Sequence, residues 1–407
     1  MRNRFTLGMT ALVACLGMAS AAIAQTDGCA DRKVTKKISK DMAAAQEAYN
    51  AKQWNEVLTK VAAIEANPIE KSEIDKFWLN EFAGIANVNL KNYPESLKQL
   101  EAAYNSPCMD EASKVHRAKV LMQLNYQQKN YPRAIEYGNK LLETNWEADT
   151  AVYVGNAYYI GNDYENTRKV LGDAIARQEA AGTVPDEQTY RIIQGACVNL
   201  KDDACVNEQF EKLVKHYPKP MYWKDLTNTL LRDASTDKQL LNVLRLADGV
   251  EVMDKSAQYF ELAQLAIAQG LPGEAQSTIE KGLQKGIFQS QPEKDRANRL
   301  LSESKKAAAL DKSTLAKQDD SARAKPTGDA DVKLGAAYLS YGETDKAIEA
   351  LKRGMGKGGV RNPDEAGLLL GIAYMRSNNK PEAAKAFETV KQDPTMARIA
   401  KLWLLNT

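Results

Sequence analysis

Two stretches near the C-terminus, Leu334-Gly335-Ala336-Ala337-Tyr338 and Leu370-Gly371-Ile372-Ala373-Tyr374, are near copies set 36 residues apart. Each precedes a polar turn and then an Ala-x3-large pair, Ala347 with Leu351 and Ala383 with Phe387. Apolar residues at helical spacing on both sides of a short polar break predict two helices folded into a hairpin. The small residue midway along the first helix lets the second approach closely. Tyr and the large residue fill the groove toward the next hairpin.

The same frame runs upstream through Val154-Gly155-Asn156-Ala157-Tyr158 and Ala83-Gly84. An aromatic opens the second helix at Trp54, Tyr93, Tyr131 and Tyr164, with spacings of 39, 38 and 33. Polar turns precede each, as in Lys52-Gln53, Lys91-Asn92, Lys129-Asn130 and Asn162-Asp163. The small-residue centres fall at Ala45, Gly84, Met122, Gly155, Gly195, Thr227, Ala263, Gly335 and Gly371. Met122 and Thr227 lack the glycine, and a 72-residue gap separates Ala263 from Gly335.

The pattern L-G-x2-Y followed by A-x3-F, at a period near 34, resembles the tetratricopeptide repeat (TPR). That resemblance implies an all-α fold, a right-handed α-α superhelical solenoid of helical hairpins. One hairpin cannot bury its apolar stripe alone, so several must stack. The expected layout is 1–24 signal peptide, 25–288 an N-terminal array of about seven hairpins, and 329–407 a C-terminal pair with a closing helix. Residues 289–328, rich in Lys, Asp, Ser and Ala, read either as a charged linker acting as a hinge or as a degenerate repeat.

The first 24 residues carry Arg2 and Arg4, an uncharged apolar run, and Ala22-Ile23-Ala24 before Gln25. This predicts a signal peptide cleaved after Ala24 and a periplasmic protein. The alternative, from Leu12-Val13-Ala14-Cys15, is a lipoprotein anchored at Cys15. Cleavage removes two arginines and no acid, taking the formal charge from +2 to 0. A neutral chain argues against nucleic-acid binding, which needs a basic face.

Four cysteines then remain: Cys29, Cys108, Cys197 and Cys205. In an exported chain they are disulfide candidates. Cys197 and Cys205 are eight apart across a predicted turn, which leaves Cys29 for Cys108. Free buried thiols are the alternative. A metal site is disfavoured, because the two histidines, His116 and His216, lie far apart and no C-x-x-C occurs.

No catalytic pattern stands out. Gly354-Met355-Gly356-Lys357-Gly358 lacks the Ser or Thr of a phosphate loop and has no strand before it. No G-x-S-x-G elbow occurs, and neither histidine has a credible nucleophile beside it. The expectation is a non-enzymatic protein without cofactor, metal or small-molecule substrate. Its partner proteins would dock on the inner side of the first helices, where Trp78, Lys119, Tyr126, Asn156, Tyr159, Asn199, Leu339 and Met375 are the candidate contacts.

Further features, Pro218-Lys219-Pro220-Met221-Tyr222-Trp223, Gly270-Leu271-Pro272-Gly273-Glu274-Ala275 and the closing helix with Trp403, give the layout a likeness to periplasmic TPR proteins. The chain resembles those that accompany TonB-type energy-transduction systems, which implies a scaffold for an inner-membrane TonB-type complex. The alternatives are an envelope assembly or secretion factor, and a peptidoglycan- or glycan-associated binding protein.

Overall fold

The computed structural model describes Cys29 and residues 33–406. The expected signal peptide, the expected cleavage after Ala24 and the alternative anchor at Cys15 fall outside the described residues. Twenty α-helices are present among the described residues, with no strand. They form two compact units that divide between Pro185 and Asp186.

The first unit holds four hairpins. They are α1 (Ser39–Asn50) with α2 (Trp54–Ala66), α3 (Glu73–Asn89) with α4 (Tyr93–Tyr104), α5 (Glu111–Gln127) with α6 (Tyr131–Thr144), and α7 (Ala148–Ile160) with α8 (Tyr164–Ala180). Their turns share one chemistry. Lys52, Lys91, Lys129 and Asn162 sit at φ of 57–62°, the left-handed helix stop. The next N–H bonds back to the carbonyl five residues earlier, as in Gln53 to Ala48 and Asn92 to Asn87, both within 2.9 Å. The aromatic two residues after the turn then begins the second helix.

Close approach follows a fixed interval. A Cβ added to Gly84 would lie 2.7 Å from Leu100 Cγ, and one added to Gly155 would lie 2.9 Å from Leu171 Cδ1. In the second unit the pairs are Gly335 with Leu351 Cγ at 2.5 Å and Gly371 with Phe387 Cζ at 2.6 Å. Each partner is sixteen residues on. At Gly84 and Gly155 a hydroxyl adds a second tie: Ser96 Oγ donates to the Gly84 carbonyl at 3.0 Å, and Thr167 Oγ1 to the Gly155 carbonyl at 3.3 Å.

Hairpins bury their stripes on one another. Ala45, Val57, Ile64 and Phe82 share one cluster, and Leu100, Leu121, Met122, Tyr137 and Val154 share the next. Burying each large side chain contributes roughly 1.5–3 kcal/mol, so the stack supplies what a lone hairpin lacks.

The second unit begins with three hairpins: α9 (Glu187–Leu200) with α10 (Asp203–His216), α11 (Pro220–Asp233) with α12 (Asp237–Gly249), and α13 (Ser256–Ala268) with α14 (Pro272–Gln284). Then comes one long helix, α15 (Gln291–Ala324, 34 residues). It runs through most of the 289–328 segment as one helix, so the 72-residue gap holds no extra hairpin. Its buried residues, Ala297, Ser304, Ala308, Leu315 and Ala322, make a narrow stripe near heptad spacing. A capping box of Ser290 and Glu293 starts it. Its far end is held by Lys357 Nζ, which donates to the Ala322 and Arg323 carbonyls at 2.8 and 3.0 Å.

Two further hairpins follow, α16 (Asp329–Ser340) with α17 (Thr344–Lys357) and α18 (Pro363–Arg376) with α19 (Lys380–Phe387), and then α20 (Pro394–Leu405). The unit closes on itself. Arg398 Nε on α20 donates to Glu211 on α10 at 2.7 Å, and Gln239 Nε2 on α12 to Asp393 at 2.9 Å.

Both expected cysteine pairs are at disulfide distance. Cys29 and Cys108 have Cα atoms 4.5 Å apart, and Cys197 and Cys205 5.8 Å. The first pair packs with Ile74, Phe77 and Met109, tying the segment before α1 to the loop between α4 and α5. Among the described residues no helix is long and apolar enough to cross a membrane.

Candidate functional site

The structure divides the eight candidate residues into three groups. Tyr126, Asn156, Lys119 and Tyr159 lie on α5 and α7, the first helices of consecutive hairpins. Tyr126 Oη accepts a hydrogen bond from Asn156 Nδ2. Its ring meets Tyr131 and Tyr153 edge-on, with centroids 5.6 and 5.2 Å away. Burial pushes the Tyr126 phenol up to about 12, so it remains a neutral hydroxyl near neutral pH. Asn156 is only 2 % exposed. It therefore positions Tyr126 instead of joining an exposed row of amides.

Lys119 is paired with Glu147, the residue before α7. Tyr159 stands half-buried against Tyr164, with centroids 5.6 Å apart. Tyr153 was not singled out from the sequence, yet it completes this aromatic set. It sits five residues before Tyr158, outside the motif that marks the repeat.

Trp78 belongs elsewhere, on α3. It stacks on Phe82 at 5.7 Å and meets Phe77 edge-on at 5.0 Å, half-buried between two clusters. Nearby, the Arg117 guanidinium of α5 pairs with Glu81 of α3. Burial raises the Glu81 carboxyl despite the opposing pull of Arg117.

Asn199, Leu339 and Met375 are in the second unit. Asn199 is exposed, and its amide donates to the Gly195 carbonyl of its own helix at 2.8 Å. Leu339 is 4 % exposed, which corrects the expectation of an open contact there. With Met375 it lines a cleft of about 660 Å³, half open to solvent, whose walls also include Arg245, Glu274, Arg376 and Trp403.

The polar wall of that cleft is internally matched. Arg245 Nε and Nη2 donate to the two Glu274 oxygens at 2.7 and 2.6 Å. Burial would raise the Glu274 carboxyl, but the charge and hydrogen bonds of Arg245 outweigh it and hold the group low. Lys281 pairs with Asp248 at 2.6 Å, and Arg376 Nη1 donates to the Leu339 carbonyl at 2.9 Å. These charged residues were invisible to repeat periodicity because they come together from three different helices, α12, α14 and α18.

Lys357 of the glycine-rich stretch is no phosphate ligand. It pairs with the fully buried Asp331 at 2.8 Å and caps α15. Among the described residues no group of His, Cys, Asp and Glu could hold a metal ion.

No family model matches the chain, and no curated protein matches it. Similar solved structures include a Naa15/Naa10 complex bound to HypK-THB, at 13 % identity and a TM-score of 0.41, over 91 % of this chain and 66 % of that one. A tetratricopeptide repeat protein from Parabacteroides merdae has 10 % identity and a TM-score of 0.31, over 82 % and 99 %. The TPR2AB domain of yeast Sti1, in complex with pHSP90, has 15 % identity and a TM-score of 0.25, over 72 % and 96 %. The chain thus spans just under two thirds of the first of these. Its own geometry, with glycine against a large residue sixteen positions on and a left-handed stop at most hairpin turns, makes the fold an all-α helical solenoid of tetratricopeptide type.

Proposed function

We propose that the chain is a non-enzymatic scaffold that holds a partner protein on the α5–α7 face of its first unit. The observation that carries this reading is the set of half-exposed rings, Tyr126, Tyr153 and Tyr159, on two successive first helices. Tyrosine gives a large contact area with few rotatable bonds, so little side-chain entropy is lost on docking. The bond from Asn156 and the Lys119–Glu147 pair pre-organise the face before a partner arrives.

The place of work is outside the cytoplasm, in the periplasm. Two cysteine pairs at disulfide distance fit an oxidising compartment, where such bonds persist. The first partner to test is the TonB-type inner-membrane complex named by the sequence resemblance.

The test is crosslinking in intact cells followed by purification and mass spectrometry, comparing the native chain with a Tyr126→Ala/Tyr159→Ala variant. A partner lost with the variant, while its circular dichroism stays native, supports the scaffold reading. TonB or its motor proteins in that set support the finer role, and assembly or secretion components there would remove it. An unchanged set in the variant overturns the α5–α7 face as the docking site.

A further inference from the structure

The second unit is closed by a helix lying alongside one far from it in sequence. Three contacts between α12 and α20 share one offset of 154 residues. Gln239 bonds Asp393, Asn242 Nδ2 lies 3.7 Å from Met396 Sδ, and Gly249 sits beneath the Trp403 ring. A constant positive offset means that α20 runs parallel to α12 and in register with it. Gly249 leaves room for the indole, since a Cβ there would lie 2.7 Å from Trp403 Cζ3.

The rim of this seam is ionic. Glu211 of α10 takes Arg398 at 2.7 Å and Lys401 at 3.3 Å, and Lys238 of α12 takes Glu365 of α18 at 2.7 Å. Two clefts open to solvent flank the C-terminal end of α20. The cleft of about 660 Å³ reaches Trp403 and Asn406. A second, of about 330 Å³, lies among Trp223, Val250, Leu405 and Asn406. Trp403 is 6 % exposed, and its Nε1 has no hydrogen-bond partner. A buried donor left unpaired weakens a packed surface, and the two clefts let water reach the flanks of the helix end.

We propose that α20 is a docked, releasable helix: the groove formed by α10, α12, α18 and α19 is an intramolecular helix-binding site, and the chain's own residues 394–405 are its occupant. The helix is suited to this by an apolar side, Met396, Ile399, Ala400, Leu402 and Trp403, and by basic residues that meet Glu211. Release widens the larger cleft and bares the surfaces of α12, α18 and α19. This inference goes beyond the scaffold reading of the first unit and does not depend on it.

Hydrogen exchange of the full chain, read by mass spectrometry, tests it. Amides of 394–405 should exchange about tenfold faster than those of α14, which does not pack on α20, the mark of a separate opening unit. Glu211→Arg should speed α20 further and leave α14 unchanged, and adding Arg398→Glu should restore the native rate. If Glu211→Arg does not fold, Glu211→Gln is read in its place, with a smaller acceleration expected. Exchange of α20 and α14 at one common rate in every folded variant would overturn the proposal, because α20 would then be an inseparable part of the array.

Discussion

Gly84 and Leu100 touch across the α3–α4 hairpin, and a single methyl on the glycine would fall 2.7 Å from the leucine Cγ. Gly84→Ala therefore sets a favourable helix propensity against a steric clash. The propensity gain is roughly 0.5–1 kcal/mol, whereas overpacking costs about 1–3 kcal/mol. The variant should unfold at lower urea concentration than the native chain. Gly84→Ala/Leu100→Ala should lose the clash but leave a void, so the two effects will not add.

The left-handed turn residues offer the opposite prospect. Lys91 is exposed at φ 61°, a conformation that side chains adopt at a cost and glycine does not. Lys91→Gly should stabilise the chain by up to about 1 kcal/mol, read as a rise in the thermal midpoint. Lowered stability would mean that the lysine makes a contact beyond its backbone role.

The two cysteine pairs should differ in worth because they close loops of different length. The separations are 79 residues for Cys29–Cys108 and 8 for Cys197–Cys205. Loop-closure entropy gives about 4.5 against about 2.5 kcal/mol. Cys108→Ser should accordingly lower the urea midpoint more than Cys205→Ser, and non-reducing peptide mapping should recover both linked pairs from the native chain.

Acid should loosen the start of α15. Hydrogen bonds from the Ser256 hydroxyl, then from Ser290, hold Glu293 at about 2 instead of 4.5. A carboxyl depressed in the folded state contributes stability above its unfolded value and loses it as pH falls toward the folded one. The contribution should therefore fade between about pH 4.5 and 2. Glu293→Gln should flatten that part of the stability-against-pH curve, and an unchanged curve would remove Glu293 from the account.

Much of the fold was legible because each hairpin repeats its own contacts at short range. Glycine, the residue sixteen on, and the turn lysine all lie within one period, and the nine small-residue centres all fall inside first helices of hairpins. The helix α15 was not legible as such. Its buried stripe is mostly alanine and serine, so apolar periodicity was faint and its charged surface looked like a connector. The seam between α12 and α20 and the Arg245–Glu274 pair were hidden for another reason. They depend on how far the second unit curves, and curvature is a sum of small rotations that no single repeat displays.

That helix also sets a phase. At 34 residues it rises about 51 Å and turns about 100° with every residue. The hairpins after it inherit its rotation, and α20 must arrive facing α12 in a register of 154. Lengthening α15 by one residue would swing Asp393 and Trp403 around the helix axis, away from Gln239 and Gly249. Four residues, near one full turn, would nearly restore their bearing while displacing them along the axis. Away from its cap and its buried stripe, the composition of α15 is thus free to drift where its length is not.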